Sequence, residues 1–85
     1  MFNILIVEDD KNLRRLIGAV LKQNGFNVLS ANDGEQALEI LESTKADLII
    51  CDIMMPNMDG YELTRSLRDA DYNMPILMIT AKDTM

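Results

Sequence analysis

Four short apolar runs, Asn3–Val7, Phe26–Ser30, Leu48–Cys51 and Ile76–Thr80, alternate with stretches that carry helical spacing. The first, third and fourth are nearly continuous in Ile, Leu, Val and Met, with no polar alternation. A strand with one wet face alternates, whereas a strand covered on both faces does not. Phe26–Ser30 is more mixed, as an edge strand would be. The order βαβαβαβ predicts an α/β domain in which helical crossovers join parallel strands and cover both faces of the sheet. At 85 residues the chain has room for one small domain.

Between the runs, Leu13, Leu16, Ile17, Val20 and Leu21 fall at i, i+3, i+4, i+7 and i+8 and form one stripe of a first helix. Asp10 or Asp9 suits its N-cap, and Gly25 suits the left-handed position after its end. Asn24-Gly25 also has hairpin composition, but the helical stripe before it favours the helix end. A second helix is predicted from about Gly34 to Ser43. Asn32 and Glu35 form its capping pair, and Ala37, Leu38 and Leu41 its buried stripe. A third is predicted from about Gly60 to Asp69, with Asp59 as cap and Tyr61, Leu63, Thr64 and Leu67 inward.

Ligands of an open parallel sheet bind beyond the carboxyl ends of its strands. Two strands here end in acid. Ile4–Val7 runs into Glu8-Asp9-Asp10, and Leu48–Cys51 runs into Asp52. Neighbouring strands lie about 4.8 Å apart, so adjacent placement would bring at least three carboxylates together. Two unit charges 4 Å apart repel by about 4 kcal/mol at an effective dielectric near 20. A bound cation relieves that repulsion, and oxygen donors without His or Cys select a hard ion, Mg²⁺, Mn²⁺ or Ca²⁺. The acids also have a plainer reading, as helix caps and turn formers. Their position after two buried strands favours a site, and it places an aspartyl nucleophile beside a metal, a route to an acyl phosphate.

Composition removes other chemistries. There is no histidine, which excludes Ser-His-Asp and Cys-His catalysis and most mononuclear zinc sites. The single cysteine, Cys51, allows no internal disulfide, suits a reducing cytoplasm and is expected to sit in the core as an inert thiol. A net charge of −6 argues against a nucleic-acid or anionic-membrane surface. No apolar run approaches a membrane span. Lys11, Arg14 and Arg15 read as solvated charge on the first helix, or as a patch facing a partner.

At Ile4–Asp10, at Asp52-Ile53-Met54-Met55-Pro56-Asn57-Met58-Asp59-Gly60, and at Pro75–Ala81, the sequence resembles the receiver domain of bacterial two-component response regulators. The resemblance runs along essentially the whole chain. It implies a flavodoxin-like doubly wound parallel sheet with strand order 2-1-3-4. It further implies that Asp52 accepts a phosphoryl group from a phosphohistidine on a sensor histidine kinase. Mg²⁺ would be held by Asp9 and Asp52 directly, by the Met54 backbone carbonyl, and by Glu8 through water. Thr80 would supply the hydroxyl that turns toward the phosphoryl group. Pro56 and Gly60 would shape the loop after Asp52, Gly60 through unusual backbone angles. Apart from that Met54 carbonyl, Met54, Met55, Met58, Met74 and Met78 read as packing.

Receiver domains carry a fifth βα unit. Residues 1–85 therefore read as a partial receiver domain without the fourth helix, fifth strand and fifth helix, and without the lysine that follows the fifth strand; Lys82 does not match that position. The expectation is an open β4 edge and an uncovered sheet face, impaired phosphorylation, and self-association in place of a stable monomer. The resemblance also implies a transcriptional, DNA-binding output domain elsewhere in a longer protein. Two other functions compete. A fragment that is not phosphorylated would act only as an assembly module. An Mg²⁺-dependent phosphatase would need a second acid two residues after Asp52, where Met54 stands. Nucleotide-binding Gly-rich motifs are absent.

Overall fold

The computed structural model describes residues 1–79. Its elements are β1 (Asn3–Val7), α1 (Lys11–Gln23), β2 (Asn27–Ala31), α2 (Gly34–Ser43), β3 (Leu48–Asp52), α3 (Gly60–Asp69) and β4 (Ile76–Ile79). The strands form one four-stranded sheet in the order β2-β1-β3-β4. All three pairings are parallel. β1 lies between two neighbours, which explains its continuous apolar run: Ile4, Leu5, Ile6 and Val7 are all buried.

Successive strand residues face opposite sides. Leu5, Val7, Ile49 and Cys51 join Ala37 and Leu41 of α2 and Leu63 and Leu67 of α3 in one core. On the other face, Ile6 and Val28 lie against Gly18 of α1, each within van der Waals reach of where its Cβ would stand. The sheet is therefore sandwiched, α1 on one side and α2 with α3 on the other. Fully burying Leu63 or Leu67 is worth about 1.5–3 kcal/mol each, so α3 is held chiefly by two side chains one turn apart.

The helix ends follow local chemistry. Asp10 caps α1, its carboxylate accepting from the N–H groups of Asn12 and Leu13. Gly25 closes it at φ 90°. Asp59 and Glu62 form a reciprocal capping box on α3. The α2 cap differs from expectation. Asp33, not Asn32, accepts from Gln36 N–H, and the Gln36 side chain accepts from Asn32 N–H. The pair slides one residue because Asp33 is the extended residue directly before Gly34. β2 also sits one residue later than predicted. Phe26 N–H is spent on Leu21 of the helix end, so pairing with β1 begins at Asn27.

Two apolar stripes are less buried than their spacing predicts. Leu16 is 61% and Val20 is 49% exposed on α1, and Tyr61 of α3 is 58% exposed. Tyr61 is displaced by the helix's own geometry, since Leu63 and Leu67 point at the core and leave it on the flank. Leu77 of β4, on the α1 side of the sheet, is 53% exposed. Among the described residues β4, like β2 on the other side, is an outer strand of the sheet.

Candidate functional site

β1 and β3 are hydrogen-bonded neighbours with Val7 opposite Cys51, so the residues that follow them emerge side by side. Glu8, Asp9 and Asp52 each place a carboxylate oxygen within 4.8 Å of the others. Among the described residues this is the one cluster of three such side chains with that spacing. Glu8 and Asp52 are buried, at 1% and 0% exposure, while Asp9 is exposed. Carboxylates this deep are held by designated partners. Glu8 accepts from Asp10 N–H at 2.9 Å, and Asp52 accepts from Met54 N–H at 3.2 Å. The Glu8 N–H is spent on Ala31 O at 3.1 Å, which fixes the β1 exit against β2.

The loop after Asp52 is folded back on itself. Met58 N–H donates to Pro56 O and Gly60 N–H to Ile53 O, and Asn57 carries the positive φ, 70°. Gly60 was expected to supply the unusual backbone. It is instead needed for proximity: a Cβ there would stand 2.8 Å from Asp52 O and 3.0 Å from Ile53 Cα. Met54 turns its side chain outward at 56% exposure, while Met55, Met58 and Met74 pack against the core as predicted. A groove of about 550 Å³ opens beside the cluster, lined by Asp9, Met54, Met55, Asp59 and Tyr61 among others. A second depression of about 540 Å³, between Leu41, Ala46, Tyr72 and Met74 at the far end of the sheet, is remote from these acids.

Thr80 lies outside the described residues. Its neighbour Ile79 pairs with Asp52, and Ile53 N–H donates to Ile79 O, so β4 ends alongside the cluster. One residue read as solvated charge is engaged: Arg14 is half-buried and its guanidinium donates to Glu8 O at 2.7 Å. Periodicity alone gives no sign of that contact. Lys11 and Arg15 are exposed, as read.

Cys51 is fully buried and its thiol donates to Asp52 O at 3.3 Å. Burial, with smaller contributions from the charges of Asp52, Glu8 and Asp59, pushes its pKa up to about 12. The unfolded thiol titrates near 8.5. Between those values the unfolded chain has lost a proton that the folded chain keeps. This contribution to stability is intact below about pH 8.5 and is lost as pH rises, at about 1.4 kcal/mol per pH unit. The chain is expected to resist thiol alkylation at neutral pH until it unfolds. Cys51→Ala should flatten the alkaline fall in stability, as read by denaturant melts between pH 8 and pH 11.

No described helix is long and apolar enough to cross a membrane. Residues 4–85 match the response regulator receiver domain family. The chain is 44% identical over 80 residues to the alkaline phosphatase synthesis transcriptional regulatory protein PhoP of Bacillus subtilis, covering 94% of this chain and 33% of that protein. It is 41% identical over 85 residues to the heme response regulator HssR of Staphylococcus epidermidis, covering 100% of this chain and 38% of that protein. The response regulator TrrA of Thermotoga maritima, solved in complex with Mg²⁺-BeF, superposes with a TM-score of 0.89 at 35% identity over 98% of this chain and 72% of that one. The chemotaxis protein CheY4 of Vibrio cholerae gives 0.91 at 32% identity, over 99% and 72%. The chain spans about a third of the length of the curated relatives it matches. Sequence match, sheet order and flavodoxin-like architecture agree, and the chain belongs to the family of response regulator receiver domains.

Proposed function

We propose that this chain is the phosphoacceptor unit of a two-component response regulator, with Asp52 as the residue that is phosphorylated. Receiver domains are signalling domains, so the chemistry serves a switch and not a metabolic turnover. The convergence of Asp52 with Glu8 and Asp9 at the carboxyl ends of two adjacent strands carries this reading. An Asp52 oxygen would bond to phosphorus as the phosphorus–nitrogen bond of a sensor kinase phosphohistidine breaks. The three carboxylates fit Mg²⁺: the donors are all oxygen, and the 4.8 Å spacing suits two carboxylates bound directly and Glu8, already committed to Asp10 N–H, acting through water. The Met54 carbonyl would be a further ligand and the Thr80 hydroxyl the group that meets the phosphoryl oxygen. Bound there, Mg²⁺ supplies countercharge for the transferring phosphoryl group.

The setting we propose is cytoplasmic, with residues 1–85 as a partial receiver domain within a longer transcriptional regulator, the activity named for PhoP. The test is intact-mass analysis after incubation with Mg²⁺ and acetyl phosphate. A phosphoryl adduct, partial because phosphorylation of residues 1–85 is expected to be impaired, should form on the wild-type chain and not on Asp52→Asn or after chelation. An equal adduct on Asp52→Asn would overturn the assignment. Equal Mg²⁺ binding by the two proteins would favour a role in assembly alone.

Exposed Leu16, Val20 and Leu77 favour a second property, pairing with another copy of this chain through the α1 side of the sheet and the β4 edge. Sedimentation over a dilution series should show a concentration-dependent dimer that Leu77→Lys shifts to monomer. A compact monomer at all concentrations would refute it.

A further inference from the structure

The Glu8–Asp10 segment is pinned at several points. Glu8 N–H is bonded to Ala31 O, Asp10 N–H to the Glu8 carboxylate, and the Asp10 carboxylate to the first N–H groups of α1. The Glu8 carbonyl is taken by Arg14, whose guanidinium Nη1 donates at 2.7 Å from a half-buried side chain. Arg14 N–H also donates to Asp10 O at 2.9 Å. That main-chain bond is the ordinary first turn of the helix, so the arginine side chain adds one grip of its own, on the peptide that carries Asp9. The Glu8 carbonyl belongs to the peptide that carries Asp9, so holding its oxygen fixes the plane from which the Asp9 side chain departs.

We propose that Arg14 is a positioning residue: by clamping the Glu8–Asp9 peptide it holds the Asp9 carboxylate in register with Asp52 for a divalent cation. The part of this inference that concerns the cation rests on the metal reading above. The competing role is that of a point charge. A guanidinium that reaches the Glu8 main chain brings positive charge to the loop carrying these acids, which would offset their mutual repulsion and oppose an incoming cation. The two roles act on Mg²⁺ affinity with opposite signs. Removing a mere point charge would tighten Mg²⁺ binding, whereas removing a clamp loosens it. Hydrogen bonds from charged donors are short and roughly twice as strong as neutral ones, so this contact is strong enough to orient a peptide.

The experiment compares the wild-type chain with Arg14→Met, Arg14→Lys and Arg15→Met, the last removing the same charge from an exposed neighbour on α1. Mg²⁺ alone is titrated calorimetrically at physiological ionic strength, and amide hydrogen exchange is followed without metal. Arg14→Met is expected to weaken Mg²⁺ binding about tenfold, the scale seen when partners of metal ligands are removed. Arg14→Lys should recover part of that loss, and Arg15→Met should bind no more weakly than wild type. Without metal, the Asp10 amide should exchange about tenfold faster in Arg14→Met while β1 amides stay protected. Tighter or unchanged Mg²⁺ binding in Arg14→Met would overturn the proposal. So would unchanged Asp10 exchange, or equal loss of protection at Asp10 and β1, which would mark general destabilisation. If the wild-type chain binds no Mg²⁺, the metal reading and the cation part of this inference fall together. Arg14's hold on the peptide is then decided by exchange alone.

Discussion

Asp52→Asn is expected to raise the melting temperature of the metal-free chain by about 4–16 °C and, on the function proposed above, to remove phosphoacceptance. Asp52 and Glu8 are both buried, and Asp9 completes the cluster within 4.8 Å. A pair of charges at 4 Å costs about 4 kcal/mol at an effective dielectric near 20, and the hydrogen bonds already made to the carboxylates return part of it. A net relief of about 1–2 kcal/mol is expected on removing one charge, and 1 kcal/mol moves a domain of this size by about 4–8 °C. Asparagine has nearly the shape of aspartate, and its Oδ1 can keep the bond from Met54 N–H. The substitution therefore changes charge with little change in packing. Mg²⁺ should reverse the order. It stabilises the protein that binds it according to concentration over Kd, so wild type gains more than the variant and the gap closes as Mg²⁺ rises. Thermal melts of both proteins along an Mg²⁺ series check this. A lower metal-free melting temperature for Asp52→Asn would mean that the carboxylates are not in net repulsion. A native site less stable than its disabled variant is the expected cost of gathering like charges for function.

The parts of this fold that depend on period and residue type were legible from the chain. The continuous apolar runs of β1 and β3 become the sandwiched strands, that of β4 lies at the edge with Leu77 half-exposed, and the acids that end β1 and β3 meet because the two pair directly. Asp10 and Asp59 cap the helices they precede, since a short acidic side chain before a helix has orphan N–H groups within reach. What was misread turns on three-dimensional competition between near-equivalent neighbours. Asn32 and Asp33 are both good caps, and the entry of the chain into α2 selects Asp33. Phe26 has the residue type of a strand, but its N–H is claimed by the end of α1. Arg14, Arg15 and Lys11 are alike in a linear reading, and only the path of the β1–α1 loop singles out Arg14. The exposure of Leu16 and Val20 has a similar origin. A stripe states which side of a helix is apolar, whereas coverage depends on what lies opposite it.

Gly60 and Gly34 both open a helix, so replacing either by alanine isolates the steric surroundings. Gly34→Ala is expected to cost about 1 kcal/mol or less, and Gly60→Ala about 2–3 kcal/mol with loss of Mg²⁺ affinity. The three atoms nearest to a Cβ on Gly34 all belong to Met58, with Sδ at 2.7 Å and Cβ and Cγ at 3.1 Å. The Met58 Sδ and Cγ can swing aside on an unbranched, partly exposed side chain, and its Cβ needs a shift of only a few tenths of an ångström in the loop. A Cβ on Gly60 meets main chain, Asp52 O at 2.8 Å and Ile53 Cα at 3.0 Å. Main chain at the end of β3 cannot rotate away, because Asp52 is paired with Ile79 and Ile53 N–H is bonded to Ile79 O. Nor can α3 retreat freely. Leu63 and Leu67 are fully buried, and moving the helix would break the 2.8 Å bond from Gly60 N–H to Ile53 O. The strain falls on the peptide that carries Asp52, and the effect reaches the cluster. Denaturant unfolding should therefore separate the two variants by at least 1 kcal/mol, and Mg²⁺ titration should leave Gly34→Ala near wild type while Gly60→Ala weakens. Equal stability and equal Mg²⁺ binding in the two variants would show that the β3–α3 junction yields more easily than its contacts imply.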